Sequence, residues 1–230
     1  MTTSGTYLYN PSLGELTLYA FNLCGIRNTE LLQGHMESAR MAANLLLGRW
    51  SSQGVNLWMV NQQIIPLIAG QSTYNLPANN IVMLDTYIRT EDGAGNGIDR
   101  LIIPVSRSEY AAYPNKAQQG FPTTYWQDRL ISSTVSLWPV PDGSQTSLVF
   151  YQVCQIDDAN FTNGQTVNVP VYFLEAFAYG LGQRLATMWA PEKALGLKAL
   201  ADEAYQIAAM QNVETSAFYI SPGITGYYRT

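Results

Sequence analysis

The chain has one histidine, His35, and it is the obvious candidate for proton-transfer chemistry. A serine hydrolase holds its histidine base between a nucleophile and an orienting acid. No G-x-S-x-G turn accompanies His35. It falls beside Leu32 and Met36 on a helical period, so it reads as a structural histidine, at a helix surface or half-buried. Acids come in adjacent pairs: Glu91-Asp92, Asp157-Asp158 and Asp202-Glu203. Glycoside hydrolysis needs two carboxylates facing one another across a cleft. Neighbouring helical residues do not share a face, and the first two pairs fall in loop-like sequence. All three read as solvated acids. Distant carboxylates brought together by the fold would leave a cell-wall hydrolase open.

Cys24 and Cys154 stand far apart, without C-x-x-C spacing. They are core thiols or one disulfide. No His/Cys cluster has metal-ligand spacing. Asp99 and Asp142 are acids where a loop could take calcium, but EF-hand spacing is absent. Gly93 to Gly97 fails the G-x-G-x-x-G spacing and precedes a strand rather than a helix. Asn160-Phe161-Thr162 fits a glycosylation sequon, with no export signal beside it. These residues assign no catalytic, cofactor-binding or metal site, and the expectation is a protein that is not an enzyme and uses no cofactor. Tyr110, Tyr113, Tyr125 and Trp126 leave two readings open. They pack a sheet, or they line a sugar surface, which would make the chain a carbohydrate-binding β module for host-surface recognition.

The composition points the same way. Of 230 residues, 47% are apolar and only 13% charged. That charged share is about half the usual one. A weakly charged, Tyr-rich surface suits burial against other proteins; a large core under a polar, uncharged surface is the plainer alternative. The net charge of −5 and the scattered Lys and Arg argue against binding by phosphate neutralisation. Residues 1–9 hold no Lys or Arg and no apolar run, so they are not a signal peptide. No apolar stretch reaches the roughly 18 residues of a membrane span. The chain reads as soluble and made inside the cell.

The positioning elements follow from period and punctuation. Ser12 and Glu15 form an S-x-x-E capping box, and the spacing predicts a helix over 13–24, stopped by Gly25. Thr29 is placed to cap a second helix carrying Leu32, Met36, Ala39, Ala43, Leu46 and Trp50, with Gly54 as its left-handed terminus. A strand at 64–68 turns at Gly70 and returns over Tyr74 to Pro77. Val82, Leu84, Thr86 and Ile88 alternate along another strand, 91–97 is a loop tip, and 101–103 is a further strand. Ser106 caps a short helical turn. Strands at 123–130 and 134–138 border Pro139 to Gly143, a turn in which proline fixes φ and glycine accepts positive φ; a last strand covers 146–154. Helical period returns after Pro170 with Phe173, Phe177, Leu181, Leu185 and Met188, while Gly180 and Gly182 permit close helix contact. Pro191 opens a final helix faced by Ala194, Leu197, Ala201, Ala204 and Ala208.

The fold class is therefore α+β. Residues 1–56 plus 169–212 form a helical bundle from N- and C-terminal helices, and 57–168 an inserted antiparallel β-sandwich or barrel. Residues 213–230 form an extended C-terminal arm, whose aromatics either return to their own domain or dock on a partner.

Certain pieces also carry a resemblance. They are Ala69-Gly70-Gln71 with Tyr74 to Pro77; Pro104 to Tyr110; Asn115-Lys116, Gly120 to Thr123 and Tyr125; Leu137 to Asp142; and Val169-Pro170, Ala176 to Gly182 and Leu185-Ala186. They run collinearly over 65–190. In this order they resemble the head-to-tail adaptors of short-tailed bacteriophages, the tail tubular protein A-like connectors. The resemblance implies a virion structural protein of the neck and tail, assembled in the host cytoplasm. It implies a homododecameric ring beneath the portal protein that extends the DNA channel, with double-stranded DNA passing through without specific binding. It further implies a docking platform for the tail nozzle protein and for tail fibres or spikes, and no membrane contact. In such adaptors the C-terminal arm reaches the portal, which makes Phe218, Tyr219, Tyr227 and Tyr228 the portal-docking residues; each aromatic buried there would contribute roughly 1.5–3 kcal/mol.

Overall fold

The computed structural model describes residues 5, 6, 9–54, 56–91, 97–161 and 164–213. It is an α+β structure with two antiparallel-rich sheets. The first helix, α1 (Leu13–Cys24), follows its sequence signals. The Ser12 hydroxyl accepts the Glu15 N–H at 3.3 Å, and the Glu15 carboxylate accepts the Ser12 N–H at 2.8 Å. Gly25 closes the helix at φ 86° and donates to the Asn22 carbonyl.

The second helix, α2 (Gln33–Ser51), begins later than expected. Thr29 lies in a separate 3-10 turn, Asn28–Glu30, and Leu31 is extended, so the helical run restarts at Gln33. Its cap is His35, whose Nδ1 accepts the Leu32 N–H at 3.0 Å. Gly54 is not the terminus. The Ser52 hydroxyl donates to the Arg49 carbonyl at 2.8 Å, and the helix ends two residues earlier.

After a 3-10 turn at Val171–Phe173 come α4 (Leu174–Trp189) and α5 (Pro191–Gln211), with a six-residue α3 (Arg107–Ala112) earlier in the chain. Helices α1, α2, α4 and α5 share one apolar core, including Phe21, Leu46, Trp50, Phe177, Leu181 and Ala204. Two glycines set the spacing. A Cβ on Gly180 would lie 3.0 Å from Leu46 Cδ2, and one on Gly182 would lie 3.3 Å from Leu23 Cδ1. The stripe is shorter than expected, because Met188 is 51% exposed.

One sheet runs in the order β1 (Val60–Pro66), β8 (Ser147–Cys154), β3 (Asn80–Glu91), β4 (Gly97–Leu101). The other runs β2 (Thr73–Asn75), β7 (Thr134–Trp138), β6 (Thr124–Asp128), β5 (Ile103–Pro104). The strand at 64–68 and its return at Tyr74 do not pair. β1 lies against β8, and β2 against β7. The connection crosses between sheets, pinned by the Tyr74 hydroxyl, which accepts the Ile68 N–H at 3.0 Å. The expected strand at 101–103 also divides. Ile102 is buried and donates to Thr86 of one sheet, while Ile103 donates to Thr123 of the other.

The alternation in β3 changes phase at a bulge between Met83 and Thr86. Met83, Thr86 and Ile88 are buried, and Leu84 is not. The Thr86 hydroxyl donates to the Leu84 carbonyl at 2.9 Å and so stabilises the bulge. Both sheets contribute to a second core, with Ile88, Leu148 and Phe150 from one and Tyr125, Val135 and Leu137 from the other.

The chain leaving β8 returns to the helices and is held there. Ile156 N–H donates to the Ser51 hydroxyl at 3.2 Å. The Asn44 amide donates to the Ala159 carbonyl at 2.9 Å and accepts the Ala159 N–H at 2.8 Å.

The glycine spacing yields a paired expectation. Gly180→Val should overpack α4 against Leu46 and lower stability by about 1–3 kcal/mol. Gly196→Ala, on α5 with nothing within 4 Å of the added atom, should raise it by about 0.5–1 kcal/mol. Denaturant midpoints at unchanged slope measure both.

Candidate interaction surfaces

The residues with chemical potential are dispersed. The His35 ring lies 5.8 Å from Phe21 and 4.3 Å from Trp189, centroid to centroid, and one of its nitrogens caps α2. Among the described residues, no group of three or more His, Cys, Asp or Glu could hold a metal ion. Cys24 and Cys154 are free thiols, so the disulfide alternative does not hold. Cys24 belongs to the helical core and donates to the Gly182 carbonyl at 3.4 Å, while Cys154 accepts from Gln152 at the end of β8. Burial pushes both thiols up from their ordinary pKa.

Asp99 sits on β4 rather than in a loop. It takes a two-pronged contact from Arg89, at 2.8 Å from Nε and 2.9 Å from Nη2. Asp142 accepts the Ser144 N–H at 2.9 Å and the Ser144 hydroxyl at 2.7 Å, which closes its turn. Asp157 accepts from the Asn168 amide at 3.0 Å. Each of these acids has a local structural use. No helix among the described residues is long and apolar enough to cross a membrane.

The aromatic set splits. Tyr125 is buried between the sheets. Trp126 points the other way on β6 and stacks on Tyr110 of α3 at 5.4 Å. Tyr113 stacks on Trp138 at 4.1 Å. These rings spend faces on one another and fasten α3 across the sheet, which leaves less aromatic face for a sugar.

A groove between α2, α4 and α5 was not visible as a cluster in the sequence. It has a volume of about 430 Å³ and is lined by Arg49, Arg184, Lys198, Asp202, Trp50 and Tyr205, among others. Gly180 and Leu46 also line it, so the close approach of α2 and α4 helps form it. Burial, and then the nearby Arg49, hold the Arg184 guanidinium below its ordinary pKa. Burial raises the Tyr205 phenol. The ion pair found among the described residues is Arg89–Asp99, so the three groove cations have no such partner among those residues.

Arg184 also borders a neighbouring apolar groove with Met41, Leu45 and Met188. The cations read as scattered because their spacing in sequence is long. Two local signals were present: Arg184 follows Gly180 by four residues, and Arg49 follows Leu46 by three. Those offsets put each arginine beside a core position on its helix.

The four arm residues, Phe218, Tyr219, Tyr227 and Tyr228, lie outside the described residues. So do Asp92 and the Gly93 to Asn96 stretch.

The model of one protein family, described as SU10 adaptor protein, matches residues 27–225. No curated protein matches the chain.

The Arg89–Asp99 contact carries a titration consequence. The hydrogen bond from Arg89, and then its charge, hold the Asp99 carboxyl below its ordinary pKa. A carboxyl depressed in the folded state stabilises the fold above its unfolded pKa, and that contribution is lost as pH falls through the folded value. Arg89→Ala should return the Asp99 titration, followed by carboxyl NMR, towards the ordinary range. An unchanged midpoint would show that the pair does not form in solution.

Proposed function

This chain belongs to the SU10 adaptor protein family, and we propose that it is a phage structural adaptor that joins head to tail without enzymatic chemistry. The family match carries this reading, because it spans α2 to α5 and both sheets rather than one motif. The collinear motifs over 65–190 support the finer version. In that version the chain is a tail tubular protein A-like adaptor of a short-tailed phage, and it forms a ring beneath the portal. The ring extends the DNA channel and gives the nozzle and fibres a docking platform. Its copies assemble in the host cytoplasm and end in the neck of the virion.

The division of labour follows the two cores. Residues 1–56 with 169–212 form the body of the ring, and 57–168 form an inserted β unit. Two apolar clusters support that division, although Ile156, Ala159 and Val167 of the 57–168 segment belong to the helical one. A ring needs heterologous contacts, in which one surface of a subunit meets a different surface of the next. The low charge of the chain suits such burial. Its net charge of −5 suits DNA that passes without being held.

Residues 213–230 are the arm, and Phe218, Tyr219, Tyr227 and Tyr228 are its anchors on the portal. Deleting 215–230 should leave a folded monomer by circular dichroism and sedimentation. It should fail to decorate portal particles of its phage in electron micrographs, where the full chain forms a ring. Portal binding retained by the truncated chain would remove the arm from the assignment.

A further inference from the structure

We propose that the groove between α2, α4 and α5 receives the Asp157-Asp158 segment of a neighbouring copy of this chain, joining adjacent subunits head to tail. The inference rests on the ring reading above and assigns a contact within it.

The groove presents Arg49, Arg184 and Lys198 against one acid, Asp202, for a formal surplus of two positive charges. Arg184 is partly buried, and Arg49 is near enough to lower its pKa further. Two like charges held in a recess, with Asp202 lining it but no ion pair formed among the described residues, are unfavourable until a further anion arrives. An arginine pair matches carboxylates well, because each guanidinium can give two parallel hydrogen bonds.

A matching surface lies further around α2, beyond the apolar groove that Arg184 borders. Asp158 borders a recess with Glu37, Arg40, Met41 and Asn44, and Asp157 lies next to it in the chain. Glu37 and Asp158 against Arg40 leave the recess a formal surplus of one negative charge, and Asp157 adds another beside it. The segment is held in place. Its backbone is bonded to Ser51 at Ile156 and to Asn44 at Ala159, and Asn168 fixes the Asp157 carboxylate. Little ordering entropy is then left to lose on binding.

Glu37 borders the apolar groove beside Arg184 within one subunit, but Asp158 does not line the groove that holds Arg49 and Lys198. At 100° per residue, Asn44 and Arg40 stand roughly 120–160° around α2 from Leu46, which lines the groove. Unlike surfaces at different positions around one element can make a head-to-tail contact between copies. Met41, Leu45 and Met188, exposed beside Arg184, supply the apolar part of that interface. Charge complementarity then sets register and orientation more than affinity.

The test uses the full chain. Mix copies with and without ¹⁵N, assemble them on portal particles of the phage, and treat them with a zero-length carbodiimide. Mass spectrometry should find mixed-label peptides joining Lys198 to Asp157 or Asp158. The double variants Arg49→Glu/Arg184→Glu and Asp157→Lys/Asp158→Lys should each weaken ring formation by about tenfold or more. Mixing the two should restore it, since each reversed groove then meets a reversed segment. Lys198→Glu, at an exposed position, gives a groove variant with little risk to folding. Rings that form normally from each variant alone, or no recovery on mixing folded variants, would overturn the contact. So would normal rings whose groove variants instead lose binding to a short DNA duplex, because the groove would then face nucleic acid. Wild-type rings without the Lys198 cross-link would sink this contact and leave the ring reading standing. Wild-type copies that never associate on the particle would end both.

Discussion

The Asn44 side chain holds the chain that leaves β8 against the helices. Its amide takes both backbone groups of Ala159, and two turns further along α2 the Ser51 hydroxyl takes Ile156. Extended backbone lying on a helix has no ladder to satisfy it. Each buried group left unpaired there would cost about 1–3 kcal/mol. Asn44 and Ser51 remove that cost along 156–159, and in doing so they direct the chain from β8 back towards α4. A second tie runs from Leu57, whose N–H donates to the Asn212 side chain at 2.9 Å. The exit from α2 and the end of α5 are thereby held together. These contacts act together with an apolar junction, since Ile156, Ala159 and Val167 are buried in the helical core.

Within the β unit a polar chain plays the matching part between sheets. Gln127 of β6 accepts the Met83 N–H at 3.0 Å and donates to Asn80 at 2.7 Å. Asn80 donates to Gln152 of β8 at 2.7 Å, and Gln152 donates onward to Cys154. Gln152 is fully buried, so its satisfaction matters. Met83 is the residue at which the β3 ladder breaks, and Gln127 supplies the acceptor that β8 does not. The bulge and the inter-sheet bridge are thus one feature. It lets β3 switch phase without leaving a buried N–H unpaired.

This explains which parts of the fold could be read from sequence. Local rules held where local atoms do the work. Ser12 with Glu15, Ser106 with the Glu109 N–H, Gly25 and Pro191 all act within one turn of their own positions. Thr29 failed because a competing 3-10 turn intervened, and Gly54 because Ser52 closed the helix first. Strand existence was also legible, and β7 falls on its expected residues. Strand partners were not. The exchange of sheets at Ile102 and between β1 and β2 depends on buried contacts far apart in sequence, and alternation carries no trace of them. The groove was hidden for the same reason, since its three cations come from three helices.

Charge scarcity gives those three cations their meaning. In a chain with abundant Lys and Glu, an unpaired arginine at a helix surface is ordinary, because solvent and mobile neighbours screen it. Here only 13% of residues are charged, and Arg184 stands partly buried beside Arg49 over a floor of Gly180 and Leu46. A helix-packing position in such a setting is cheaper to fill with leucine or glutamine, since neither brings a charge to desolvate. The arginine instead weakens the isolated subunit slightly, and a carboxylate from outside can reverse that cost. A surface arranged in this way favours one relative orientation over the many that apolar contact alone would accept. Closure of the proposed ring would depend on that discrimination, because a small error in each joint would leave an open filament.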